Sequence, residues 1–196
     1  MDIPLGSIDV LLRNGFDRDD VAAFKRRRHF RMPDPPALDE RLQSLRKDLG
    51  SPAYRHSVNK IVRDWPEILQ YRPERIRLRI EELKEYAGMN AGRAARALNE
   101  YPAILGLAEE RIRETSEVVR HLGCDPADYP QAFLTGPAII RGRCVILHRR
   151  GDLRPLSASS LFQCGHAPFE RRTKYDRTAV LNEDPGHAAF LAMAFL

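Results

Sequence analysis

Arginine dominates the residues able to do chemistry in this sequence: 27 arginines stand against five lysines. A guanidinium fork grips a phosphate through two N–H groups and lies flat against a base, so this bias suits a polyanionic ligand. A GC-rich coding sequence yields the same bias without any ligand. Two clusters are more informative than the total. Lys25, Arg26, Arg27 and Arg28, with His29, Phe30 and Arg31, place five cations in seven residues. Between Pro137 and Arg177, nine cations (Arg141, Arg143, Arg149, Arg150, Arg154, Arg171, Arg172, Lys174 and Arg177) face only Asp152, Glu170 and Asp176. That surplus of six exceeds the net charge of +5 for the whole chain and marks a positive pole. Phe30 and Tyr175 are candidates to stack on exposed bases, although isolated aromatics also serve as core residues.

Other chemistries find no support. There is no P-loop, no GxGxxG, no HExxH, no GxSxG and no Ser/His/Asp arrangement. The adjacent carboxylates Asp19–Asp20, Glu81–Glu82 and Glu109–Glu110 fall on predicted helices, where neighbours diverge by about 100°, and read as surface charge. His121, His148, His166 and His187 have no spacing that suggests a base and its nucleophile. Cys124, Cys144 and Cys164 form no CxxC pair, and the short pairs His121/Cys124 and Cys164/His166 fall short of a ligand set. Catalysis, a cofactor and a bound metal are therefore not expected. No stretch approaches the ~20 apolar residues of a membrane span, so no membrane role is expected either. The first twenty residues carry five aspartates against two arginines, the wrong balance for a signal or transit peptide.

The elements that position these cations repeat. Trp65-Pro66-Glu67-Ile68-Leu69, Tyr101-Pro102-Ala103-Ile104-Leu105 and Gly136-Pro137-Ala138-Ile139-Ile140 align on prolines 36 and 35 residues apart. Four residues before each proline stands an apolar residue: Val62, Leu98, Phe133. Ile76 and Ile112 follow the first two prolines by ten residues, and Leu83 and Val119 by seventeen. A second ruler comes from Gly15, Gly50, Gly88 and Gly123, spaced 35, 38 and 35, each where an apolar-periodic segment ends. The tetrapeptide Glu-Arg-Ile-Arg recurs at 74–77 and 110–113.

Each unit reads as helix, proline turn, helix. The first helix, as in Arg55 to Asp64 or Ala91 to Glu100, must stop before its proline, which cannot extend a helix and disfavours helical geometry in its predecessor. The aliphatic pair then turns into the core, and a second helix follows with Ile76, Ile80, Leu83 and Tyr86 on one face. One such unit cannot bury its own apolar face, so neighbours must stack. The expected fold is all-α, a short superhelical solenoid of about four repeats of ~35 residues. It divides into a degenerate N-terminal repeat with a Pro-rich joint (1–50), central repeats (51–152) and a C-terminal capping segment (153–196). Within this scheme Cys144 to His148 forms the last second helix and Ser157 to Cys164 starts a capping helix. Asp184 caps the final apolar run, Ala188 to Leu196, which seals the solenoid end or serves an oligomer contact.

The Pro-centred repeat, clearest from Val58 to Asp152, resembles the mitochondrial transcription termination factor (mTERF) family. Arg141 to Phe169 is similar to that family's closing segment, an Arg-bearing helix leading to a Ser/Leu-rich one. The resemblance implies a curved helical superhelix with a basic face for duplex DNA or structured RNA, ribosomal RNA among them. It also implies a non-catalytic role in organellar transcription, RNA processing or ribosome assembly, in mitochondrion or plastid; the cytoplasm is the alternative.

Stacked repeats align equivalent positions. Arg75 and Arg111 lie nine residues past their prolines, and Arg77 and Arg113 eleven past, with His148 at the eleventh place of the third unit. Such columns would space cations along a phosphate backbone, but only one column can face a given ligand. Glu74, Glu81, Glu110 and Glu114 are near enough to neutralise them instead. The candidate nucleic-acid contacts are therefore Lys25, Arg26, Arg27, Arg28, Arg75, Arg77, Arg111, Arg113, Arg141, Arg143, Arg149, Arg150, Arg171 and Arg172. Two functions fit: a nucleic-acid-binding regulator or processing factor, or a structural subunit of a large ribonucleoprotein such as an organellar ribosome. In the second, the apolar C-terminal segment would meet protein partners.

Overall fold

The computed structural model describes residues 3–27, 30–49, 57–151, 161–162 and 167–193. Among them every regular element is a helix and none is a strand. The chain forms two compact units, one of Met1–Glu81 with Ala91–Gly106 and one of Glu82–Asn90 with Leu107–Leu196.

The first unit contains α1 (Leu5–Arg13), α2 (Arg18–Arg26), α3 (Pro35–Leu49), α4 (Ser57–Asp64), most of α5 (Pro73–Ala87) and α6 (Ala91–Glu100). A reciprocal capping box starts α2: the Asp20 amide donates to Asp17 Oδ1 at 2.8 Å and the Asp17 amide to Asp20 Oδ2 at 3.0 Å. Pro35, of the Pro-rich joint, opens α3, and Asp34 Oδ1 accepts from the Ala37 amide at 2.9 Å. The first helices α4 and α6 stop where expected, each ahead of its proline. Short 3-10 turns, Pro66–Gln70 and Pro102–Gly106, follow and drive Ile68, Leu69, Ile104 and Leu105 into full burial. Each such side chain contributes about 1.5–3 kcal/mol when it leaves water. Trp65 and Tyr71 stack at 5.6 Å across the first turn, and a Cβ at Gly106 would sit 3.1 Å from the Trp65 ring, so a larger residue there would make the indole shift.

The second unit holds the end of α5 with α7 (Glu109–His121), α8 (Gln131–Thr135), α9 (Pro137–Arg149), α10 (Ala167–Thr173), α11 (Arg177–Asn182) and α12 (His187–Leu191). Here the repeat changes character. Instead of a turn and a separate helix from Cys144 to His148, Pro137 opens one unbroken helix to Arg149. The cause is local: Arg72-Pro73 and Gly106 interrupt the earlier repeats, whereas nothing but Gly142 follows Ile140, and a helix absorbs a single glycine. Gly142 has its own purpose. A Cβ there would lie 2.0 Å from the Val180 carbonyl oxygen, so its absence lets α11 press directly on α9.

The register residues are core residues in each unit. Val62, Leu98, Phe133, Ile112, Leu83 and Val119 are fully buried, with Ile76 close behind. Gly15, Gly88 and Gly123 adopt positive φ, as the glycine ruler requires, while Gly50 lies outside the described residues. Phe190 of α12 is completely buried beside Val180, Phe162 and Phe169, so the C-terminal apolar run contributes to the second unit's core; residues 194–196 are outside the described region. Asp184 is not the cap residue of α12, which is Gly186 with no side-chain bond; Asp184 Oδ1 accepts from the Gly186 amide at 3.0 Å just ahead of the helix, and its carboxylate also serves a second partner. Of the expected capping helix from Ser157, only Leu161 and Phe162 are described, both helical and buried.

Candidate nucleic-acid interface

Within the second unit, a group of exposed cations sits at the C-terminal ends of two helices. Helix α9 finishes with His148, Arg149 and Arg150, and α10 with Arg171 and Arg172, followed by Lys174 and Tyr175; all are exposed. The two ends are tied together, because Arg150 donates to the Thr173 carbonyl at 3.2 Å. A cation there also complements the negative end of each helix dipole. Lys174 holds a left-handed backbone, φ 68°, with its amide on the Glu170 carbonyl at 2.7 Å, which turns the chain sharply after Arg172. Arg149 reaches Glu183, a pair on an open surface that costs little to exchange for a phosphate.

The first unit presents Lys25 and Arg26 exposed at the end of α2. Arg27 turns inward toward the neighbouring turn, meeting Glu67 at 3.4 Å and the Asp64 carbonyl at 3.0 Å. Arg28 and His29 lie outside the described residues. Phe30 is a core residue against Phe24 at 6.0 Å and is not available to stack on a base.

The repeated arginines do not behave as matched columns. Arg77 pairs with Asp48 at 2.8 Å and reaches Ser44 at 3.2 Å, rather than an acid of its own helix. Arg113 sits 3.9 Å from Glu110, the i,i+3 pairing open to it. Arg75 is exposed with its guanidinium 4.6 Å above the Tyr71 ring. Its counterpart Arg111 is half-buried and donates through Nε to Phe133 O at 3.0 Å and through Nη2 to Leu134 O at 2.7 Å. These carbonyls end α8 and lack helical partners. The difference traces to one residue: Gly136 replaces Trp65 and Tyr101, and a Cβ there would come 2.9 Å from the Arg111 guanidinium.

Two candidates are interior. Arg143 is completely buried, donating to Leu161 O at 3.0 Å with its guanidinium 5.0 Å from the Phe169 ring. Arg141 is 7% exposed and forms a fork on Asp184, Nε to Oδ1 at 2.6 Å and Nη2 to Oδ2 at 2.9 Å, with Glu114 at 3.5 Å. Burial opposes its charge, yet the Asp184 and Glu114 carboxylates outweigh that and raise its pKa. Neither belongs to an open face, so the exposed pole is smaller than the sequence surplus suggests. Helix α9 is buried on nearly all sides, and its arginines are among the side chains it must bury.

The family model for mTERF matches residues 35–149. That span covers more than half of the chain. The chain belongs to the mTERF family. No curated protein sequence matches it. The mTERF span contains the proline turns and α9, while α10, α11 and α12 lie past it. The family is one of helical-repeat proteins associated with organellar gene expression.

Burial pushes the Cys144 thiol up to about 12, a core thiol rather than a nucleophile. His121 contacts the Met193 carbonyl at 2.9 Å and packs edge-on to Phe190. Among the described residues no group of three His, Cys, Asp or Glu side chains is placed to hold a metal, and no helix is long and apolar enough to cross a membrane. Arg177, which occupies no repeat position, escaped the sequence reading as a site residue; only its place in the charge surplus hinted at it.

Proposed function

We propose that this mTERF chain binds nucleic acid without catalysing a reaction, and acts in transcription, RNA processing or ribosome assembly in a mitochondrion or plastid. Its partner on this reading is double-stranded DNA or structured RNA, held chiefly through phosphates. The observation that carries the reading is the joined pair of helix ends in the second unit, where Arg149, Arg150, Arg171, Arg172 and Lys174 lie exposed together. Such a cluster is costly to maintain through self-repulsion and is relieved by a polyanion. Family membership supports the organellar setting.

The test is a gel-shift titration of the purified chain with duplex DNA, hairpin RNA and single strands. R171E/R172E should weaken the preferred ligand by at least about tenfold, since each removed phosphate contact is charge-assisted. Equal binding by the variant would reject this patch as the interface. Absence of binding to all three ligands would reject the function.

A further inference from the structure

A cavity of about 240 Å³ opens in the second unit at the start of α9, far larger than one water needs. Arginines from three helices line it: Arg111 of α7, Arg177 of α11 and, completely buried in its wall, Arg143 of α9. Gly136, Pro137 and Leu181 complete much of the rest, and no acidic residue is among the described residues that line it.

Each arginine is placed by a specific device. Arg111 is anchored by two of its five N–H donors on the Phe133 and Leu134 carbonyls, against the bare Cα of Gly136, leaving the rest for a ligand. Arg143 is fixed from beneath by Leu161 O and the Phe169 ring. Arg177 is carried over the mouth because Gly142 admits the Val180 backbone, one turn further along α11. Arg177 is exposed and forms no ion pair among the described residues. The first turn of α9 adds its own partial positive charge: the Ile140 amide bonds to Gly136 O at 3.2 Å, while Ala138 and Ile139, both lining the cavity, precede the first helical bond.

We propose that this cavity is a binding site for a single phosphate group. The two accessible guanidinium groups, Arg111 and Arg177, and a helix start suit a doubly charged tetrahedral oxyanion better than a carboxylate, which would neutralise only one of them. Burial, and then the Arg177 cation, lower the pKa of Arg111, and an anion between the two guanidinium groups would offset the repulsion between them. The phosphate is either a free ion or the terminal phosphate of a polynucleotide. Only the second source rests on the nucleic-acid reading above.

The full chain is titrated with inorganic phosphate at constant ionic strength, read by thermal shift and by calorimetry. Phosphate should raise the melting temperature with saturation, as a ligand of the folded state must. R177Q, at the exposed rim, should fold normally and lose affinity by about ten- to a hundredfold, the worth of a charged hydrogen bond. R171Q/R172Q, outside the cavity, should retain it. A short RNA with a 5′-phosphate that competes better than its 5′-hydroxyl counterpart identifies the polynucleotide end as the source; equal weak competition by both identifies free phosphate. No saturable shift, or the same affinity in R177Q, would overturn the site. Loss of gel-shift binding with phosphate binding intact would reject the nucleic-acid function and leave this site standing.

Discussion

Arginine plays four different parts in this chain, and burial decides which. At the open helix ends of α9 and α10 it is solvated charge. In Arg75 it lies on an aromatic face, and in Arg111 it closes the end of a helix. In Arg141 it is half of a buried ion pair whose other half, Asp184, lies 43 residues away in sequence. Removing one partner of such a pair strands the other charge, which costs about 3–5 kcal/mol, whereas removing both costs far less. Urea unfolding of D184A should therefore show a loss of that order, and R141M/D184A should recover most of it. If D184A unfolds at the wild-type urea concentration, the pair contributes nothing to stability. The sequence reading placed Arg141 and Arg143 on a binding face because charge alone was visible, and charge carries no sign of burial. The compensating Asp184 was read as a helix cap, a common use of aspartate, since its contact with Arg141 is long-range.

Helix boundaries were the most legible feature, since proline and glycine act through the backbone and need no tertiary context. The start and end of α6 match the sequence reading residue for residue, and the turns at Pro66 and Pro102 bury the aliphatic pairs named for them. The third repeat was misread because its aliphatic pair resembles the others while the helix breaker that follows them is missing. Gly142 was the overlooked clue. With its Cβ position 2.0 Å from a carbonyl oxygen, Gly142→Ala must push α11 away or distort α9. Overpacking of that kind costs about 1–3 kcal/mol, and about 2–4 °C in melting temperature for each kcal/mol in a chain of this size. Gly92→Ala, on the exposed side of α6, should be neutral or slightly stabilising. A G142A protein that melts with G92A would show that α11 does not sit on α9 as described.

Across the whole molecule the net charge is only +5, so a polyanion would be held by local concentration of charge, not by the chain's total. Five exposed cations, Arg149, Arg150, Arg171, Arg172 and Lys174, set the expected scale. If they neutralise about five phosphates, log K should fall with log salt at a slope of about −4 to −5 on duplex DNA. Fluorescence anisotropy between low and physiological salt measures it directly. A slope near zero would mean that contacts other than phosphate dominate.

The recognisable mTERF span ends at residue 149, yet the second unit does not. Val180 fills the groove over Gly142, Asp184 neutralises Arg141, and Phe190 completes the apolar interior. Cutting the chain at the edge of the recognisable repeats would uncover a greasy furrow and a bare interior charge in the same stroke. Anyone isolating the repeats for study should therefore keep the tail, which is as much a part of their folding as the prolines are.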